Sequence, residues 1–284
     1  MEIPKHVVNL IVSQEWAIDL GYGLSELNKF LFNLEAGVDY AELRKQSSKI
    51  EFFSNYNPLN GVEDFSSSLP EGTVAKLNLT GVMRLEDGMC SQGIKSLSQD
   101  FYRAYGDTNI KAILLDVNSG GGDPQAGAEL NATIGDRNKP VIVRTSFAGS
   151  AAVMGILQAD EIIAASEFAK IGSIGAYSSI SKEMLDYYKE NVVEIYSDLS
   201  ADKNAEFRDA VEGKYEKLKA SLNSLAKNFQ DHVTRYRPLS GSAETIAETL
   251  RGGMFEAVDA KNRGLVDSIG TQNYALKRVL SYIK

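Results

Sequence analysis

The chain has 284 residues, 43% hydrophobic and 24% charged, which is enough for one large domain or two small ones around a sizeable core. Its 38 acidic and 30 basic residues give a net charge of −8, which disfavours nucleic acid as a partner because phosphate contacts need clustered positive charge. One cysteine, Cys90, can neither form an intrachain disulfide nor build a zinc site alone.

The chain contains two histidines, His6 and His232. His6 lies close to the first residue, and His232 falls in a strongly helical stretch with no motif around it. We interpret both as structural or surface residues. If the chain is a hydrolase, its general base is therefore expected to be a residue other than histidine.

The N-terminal apolar run is short. It covers residues 7–12 and is interrupted by Asn9. A secretory signal needs about 7–15 apolar residues, and a membrane-spanning helix needs about 20. We therefore expect a cytoplasmic protein without a membrane anchor.

The first 72 residues are expected to be a helical extension and a linker. Leucines at three- and four-residue steps (Leu24, Leu27, Leu31, Leu34) predict helix within residues 7–45. Residues 46–73 carry Ser, Asn, Gly and Pro without a sustained period, which predicts an irregular arm. The predicted boundary separates residues 1–72 from a domain of residues 73–284.

From residue 74 onward, strand and helix patterns alternate, which is typical of an α/β protein with a parallel sheet. The run KAILLDV is continuously apolar, as expected for a strand buried on both faces. Strands are predicted at residues 74–79, 111–117, 140–145, 161–165 and 192–196, and helices at 93–105, 124–134, 151–158 and 205–236.

A run of three glycines, Gly120 to Gly122, lies in the segment NSGGGD between a buried strand and a helix. Glycines let the backbone approach a ligand closely and direct N–H groups toward an anion. The segment does not fit a P-loop or a dinucleotide-binding fingerprint, and on its own it favours a tight turn.

Ser150 lies in the segment FAGSAA, at a predicted strand-to-helix turn. A hydroxyl at a helix N-terminus is near the positive end of the helix dipole, and the following N–H, that of Ala151, could face a developing oxyanion. A serine that only caps the helix is the alternative interpretation.

Three further segments complete an ordered set: KIGSIG at 170–175, SADKN at 200–204 and AVDAKNRGLVDSIG at 257–270. Each one alone looks like scaffolding. Their order, however, resembles the signal peptide peptidase A family of serine peptidases, and especially its phage members, the prohead (capsid) proteases. The resemblance covers roughly residues 73–270. It implies a ClpP/crotonase-like spiral of βαβ units, preceded here by the helical N-terminal extension.

The resemblance assigns Ser150 as the nucleophile and Lys203 as the general base, with no metal or other cofactor. It assigns the N–H groups of Gly121 and Gly122 to one half of an oxyanion hole and that of Ala151 to the other half. Ser173, in the segment that matches T-G-S-I-G of the family, is expected to help hold the lysine amine.

Departures from the family pattern bear most on the lysine. Gly120 and Ile171 stand where the family has proline and threonine, and the residues before Lys203 are unlike the usual approach. Lys170 and Lys182 are therefore alternative bases, and Ser146 is an alternative nucleophile.

A lysine acts as a base only when it is neutral, which requires burial. Asp198 and Asp202 are close in sequence to Lys203 and would favour a charged amine, so we expect both to point away from it.

The resemblance implies a peptidase that forms an acyl-enzyme, acts on protein substrates such as capsid or scaffold proteins, and assembles as a homo-oligomer, with serine and lysine on different subunits in some members. Three alternatives stay open: a host peptidase that degrades signal peptides, a crotonase-like acyl-CoA enzyme, and a catalytically inert scaffold with the same fold. The polar segment 46–73 is a candidate for self-cleavage, because irregular exposed backbone fits a protease cleft.

Overall fold

A computed structural model of the chain describes residues 17–35, 49–62, 64–65, 68–88 and 91–283. The strands are β1 (Ala17–Ile18), β2 (Glu51–Ser54), β3 (Asn57–Pro58), β4 (Thr73–Thr80), β5 (Ile110–Ser119), β6 (Gly121–Gly122), β7 (Val141–Gly149), β8 (Glu161–Ala164), β9 (Lys170–Gly172), β10 (Met254–Glu256) and β11 (Ser268–Ile269). The helices are α1 (Leu20–Glu35), α2 (Ile94–Gly106), α3 (Pro124–Gly135), α4 (Ala151–Ile156), α5 (Lys182–Asn191), α6 (Ala205–Val211), α7 (Glu216–Tyr236), α8 (Ala243–Thr249), α9 (Ala257–Asn262) and α10 (Gln272–Tyr282), with a 3₁₀ turn at Asp198–Ser200.

The main sheet has the strand order β10-β9-β7-β5-β4-β2-β3, and β8 also pairs with β7. Neighbours β4, β5 and β7 are parallel, and β7 is parallel to both β8 and β9. The edge strands β2, β3 and β10 pair antiparallel. The predicted α/β class with a mostly parallel sheet is confirmed.

Helices cover both faces of the sheet, which is why the central strands are apolar throughout. On one face, Ile113 and Leu115 of β5 belong to a core with Phe101 of α2 and Leu130 of α3. On the other face, Leu114 packs in a second cluster that includes three residues of α10: Ala275, Leu276 and Val279. Each large apolar side chain buried in this way contributes about 1.5–3 kcal/mol relative to exposure.

Strand β7 changes its partner halfway along, at Ser146. Thr145 is opposite Val117 of β5 but Phe147 is opposite Asn118, so Ser146 is the extra residue of a β-bulge. Before the bulge β7 pairs with β8, and after it Phe147–Gly149 pairs with β9. The bulge therefore directs the end of β7, and the residue that follows it, toward Gly172.

The segment AVDAKNRGLVDSIG acts as scaffold. Gly264 has φ +81°, and a Cβ there would lie 2.2 Å from the carbonyl oxygen of Pro238, so other residues do not fit. The Asp267 carboxylate accepts the Ile162 N–H (2.7 Å) and an Nη2 hydrogen bond from buried Arg237 (2.7 Å). It thereby connects the start of β8 to the end of α7.

Part of the N-terminal prediction is wrong. Residues 17–18 form a strand instead of helix, because they pair with β6, and residues 51–54 of the predicted irregular arm form an edge strand on β4. Helix α1 agrees with the prediction, whereas residues 7–16 and 36–45 lie outside the described residues. The division of the chain at residue 72 stays a prediction.

Two predictions in the second half are also wrong. Residues 192–196 are not a strand: residues 192–195 are exposed, and the segment has no neighbouring strand in the described part of the chain. The helix expected over 205–236 is two helices, because Gly213 adopts φ +73° between α6 and α7. In the ranges that the structure describes, no helix has the length and apolarity to cross a bilayer.

Candidate active site

Ser150 occupies the turn between β7 and α4 with an unusual backbone. Its φ is +52° and its ψ is −118°, a combination that a residue with a side chain adopts at a cost of about 1–3 kcal/mol. Such strained strand-to-helix turns are where hydrolase nucleophiles are held. The structure therefore favours more than an N-cap role for Ser150, whose side chain makes no capping hydrogen bond.

Main-chain hydrogen bonds on both sides hold this turn. The Ser150 N–H is donated to Gly172 O over 2.9 Å, and Met154 N–H is donated to Ser150 O over 3.1 Å. Ser150 Oγ lies 3.5 Å from the carbonyl oxygen of Gly175, at the long limit for a hydrogen bond. Because Gly172 bonds to Ser150, the next residue, Ser173, is brought beside the turn, also at positive φ (+56°).

The glycine-rich turn reaches the same place from β5. Gly122 is tightly enclosed: a Cβ there would lie 2.2 Å from Met83 O. The Gly121 N–H is donated to Ser119 Oγ (3.1 Å), and that hydroxyl is donated to Gly81 O (2.6 Å). In this conformation the predicted oxyanion donor of Gly121 is thus already engaged.

The structure brings together most of the predicted site, but not its lysine. Lys203 is exposed in the turn between the 3₁₀ turn and α6, and no hydrogen bond or ion pair of the described residues joins it to Ser150, Asp198 or Asp202. The alternatives Lys170 and Lys182 are also exposed. The alternative nucleophile Ser146 is exposed too, at the β7 bulge.

An N-terminal segment that sequence reasoning did not connect with the site lies directly on it. Tyr22 of α1 packs on the Phe147 ring, with centroids 5.0 Å apart, and donates its hydroxyl to Asn118 O over 2.7 Å. Burial, and next the charge of Glu26, raise the pKa of Tyr22 to about 12, so the phenol stays protonated. The aspartate before α1, Asp19, caps it through Tyr22 N–H, but no sequence signal links this segment to the glycines.

The ionisable side chains away from Ser150 form no candidate metal centre among the described residues. Across the described ranges, no group of three or more His, Cys, Asp or Glu side chains could hold a metal ion. His232 lies on α7 beside Tyr236. His6 and Cys90 lie outside the described residues.

Comparison with known proteins assigns the chain to a family. The family model described as Peptidase family S49 matches residues 134–281, more than half of the chain. The Methanocaldococcus jannaschii protein named "Putative protease MJ0651" is 32% identical over 185 residues, which cover 61% of this chain and 56% of that protein. The chain thus spans little more than half the length of this relative.

Solved structures with similar folds include a ClpP1 mutant from Listeria monocytogenes, with TM-score 0.44 and 15% identity over 71% of this chain and 94% of that one. Another is an enoyl-CoA hydratase/isomerase family protein from Silicibacter pomeroyi, with TM-score 0.44 and 16% identity over 75% of this chain and 78% of that one. Likenesses this distant say nothing about what the present chain does.

The chain belongs to peptidase family S49, whose model matches more than half of it. The matched region contains Ser150, Ser173 and Lys203, whereas the glycine-rich turn at 120–122 precedes it. The membership of a peptidase family that the sequence resemblance implied is confirmed.

Replacing Gly122 by alanine tests how closely the turn is packed. Because the new Cβ would meet Met83 O, we expect Gly122→Ala to lower the free energy of unfolding by about 1–3 kcal/mol, measured by urea denaturation. Gly106→Ala is the matched control, since a Cβ at Gly106 has nothing within 4 Å. Equal stability of the two variants would contradict the described packing.

Proposed function

We propose that the chain is a serine endopeptidase in which Ser150 Oγ attacks the scissile carbonyl and forms an acyl-enzyme. The observation that carries this proposal is the strained backbone of Ser150 at the β7–α4 turn, inside the region that matches a peptidase family. The strain supports a nucleophile over a helix cap, because it costs stability that a cap does not require.

The oxyanion would be held by main-chain N–H groups on two sides of Ser150. Ala151 opens α4, and the first N–H groups of a helix have no partner within the helix. Gly122 approaches from the glycine-rich turn, and Gly121 could contribute once Ser119 Oγ releases its N–H. The Ala151 N–H, fixed at the start of α4, would need no reorganisation when charge develops, and a donor of this kind is worth about 2.7–4 kcal/mol in comparable enzymes.

The general base we propose is Lys203, in a state of the protein where its amine is buried. A serine hydroxyl needs a neighbouring base, and a lysine amine serves only when its pKa falls from about 10.4 toward 7–8, roughly 4 kcal/mol of differential desolvation. The exposed position of Lys203 does not supply that desolvation, so a further contact has to cover it.

Apolar side chains just before Lys203 support such a contact. Val193, Ile195 and Leu199 are 89%, 93% and 97% exposed, an unusual cost for a run of large apolar residues in water. We propose that a second copy of the chain covers this segment in a homo-oligomer. The same packing would desolvate Lys203 and bring it to a serine of the same chain or of the neighbour, with Ser173 as a neutral hydroxyl partner.

Covalent labelling tests the nucleophile. We expect a fluorophosphonate probe to label the chain at Ser150, as located by peptide mass spectrometry, and Ser150→Ala to abolish labelling and peptide hydrolysis. Ser146→Ala is the matched control: it removes the exposed hydroxyl of the β7 bulge and should keep both. Labelling that survives Ser150→Ala but not Ser146→Ala would reverse the assignment.

Removing the amine tests the base. We expect Lys203→Met to lower kcat by about 10²–10⁴-fold, because general-base catalysis contributes on that order, while the variant still folds. Lys182→Met, a substitution at an exposed lysine on α5, should keep its activity. Full activity of Lys203→Met in the assembled protein would exclude this residue as the base.

We propose capsid or scaffold proteins as the substrates, because the order of the motifs resembles that of phage prohead proteases. The chain's acidic character and the absence of a candidate metal centre in the described ranges are compatible with this role but do not select it. Co-expression with a capsid protein should give site-specific processing that Ser150→Ala removes. Processing of signal peptides instead would identify the host-type alternative.

A further inference from the structure

Strand β6, the outer part of the glycine-rich turn, is paired along both of its edges. On one edge Met83 N–H is donated to Gly121 O (2.8 Å), and Asp123 N–H is donated to Met83 O (3.0 Å). On the other edge β1 runs antiparallel, with Ile18 opposite Gly121 and Ala17 opposite Gly122. The second edge is the one that an N-terminal segment of the same chain occupies.

The pairing with β1 involves Gly122, whose N–H is a donor of the proposed oxyanion hole. Asp19 N–H is donated to Gly120 O over 2.7 Å, so this pair is hydrogen-bonded. Bonded and non-bonded pairs alternate in an antiparallel ladder, which makes Ala17–Gly122 the next bonded pair. This register directs the Gly122 N–H toward the Ala17 carbonyl, as it would be directed toward a carbonyl of an extended peptide.

Helix α1 anchors this strand through Tyr22. The ring lies against Gly120 so closely that a Cβ on that glycine would be 2.6 Å from Tyr22 Cβ, and it also packs on Phe147. Its hydroxyl bonds to Asn118 O at the end of β5. One aromatic side chain thus holds the segment to both strands that lead into the site.

The segment also covers the turn that carries the serine. A Cβ added to Gly149 would lie 3.2 Å from Asp19 Cβ, so Asp19 is directly above the residue before Ser150. Ser150 is 1% exposed. Ile18, the residue before Asp19, is also buried.

We propose that residues 17–22 form an intramolecular latch, in which strand β1 takes the place of an extended peptide on Gly120–Gly122 and Tyr22 keeps it there. The proposal rests on the proposed peptidase function. Its consequence is that a substrate backbone adds to the same edge, antiparallel to β6, after the latch has moved away. The latch acts as a tethered competitor, so substrate affinity falls in proportion to the fraction of open molecules.

Two substitutions in the full-length chain test the latch. Tyr22→Ala removes the anchor, and Ala17→Pro removes the N–H that pairs with Gly122 O while leaving the anchor in place. We expect each to increase hydrogen exchange of the amides in residues 120–123 about tenfold and to accelerate fluorophosphonate labelling of Ser150 by a similar factor. Phe32→Ala is the matched control, because Phe32 is an exposed aromatic residue on the same helix.

The two readouts separate failure of the latch from failure of the proposed catalysis. Unchanged exchange at 120–123 in both variants would overturn the latch, whatever the reactivity of Ser150. Faster exchange without labelling of Ser150 in any variant would keep the latch as a cover of the glycine edge and overturn the proposed nucleophile. Equal acceleration by Phe32→Ala would show general destabilisation and overturn the specific contact.

Discussion

The hydrogen bond from Ser150 N–H to Gly172 O holds the site together. It fixes a turn at positive φ that would otherwise relax, and it joins the end of β7 to β9. It is available because the bulge at Ser146 releases β7 from β8 and turns its last residues toward β9. A buried sheet, covered by helices on both faces, provides the rigidity against which the strain is held.

The proposed function and the proposed latch give one edge of backbone two roles. Main-chain groups of Gly120–Gly122 are suited to an extended peptide because no side chain blocks them, and for that reason they also pair with the chain's own residues 17–19. Closure by a weakly apolar strand and one tyrosine can be reversed without unfolding the sheet. With the latch closed, the chain would shield its glycine edge from water. With the latch open, the same edge would be available to a substrate.

The two residues of the proposed dyad, Ser150 and Lys203, lie in different surroundings. Ser150 and its proposed amide donors lie at the ends of central strands and at the start of α4, whereas Lys203 lies beside exposed apolar residues that lack a partner in the described chain. A lysine that becomes neutral when that surface is covered would make activity depend on assembly. Such a dependence would follow from desolvation alone and would need no movement of the serine.

The sequence by itself determined strands β4, β5, β7 and β8, helices α2 and α3, and the turn that carries Ser150, because apolar periodicity and small-residue turns are local signals. The order of its motifs, by resemblance, indicated the peptidase family. It did not determine the pairing of residues 17–18 with Gly121–Gly122, the edge strand at 51–54 or the exposure of 192–199. These depend on which distant backbone edges are left unpaired, and no local pattern encodes that. The tertiary structure alone decided that the N-terminal segment lies on the glycine edge, through contacts between residues about a hundred positions apart. It also decided that Lys203 stands apart from Ser150, because the distance between residues about fifty positions apart depends on the path of the whole chain between them.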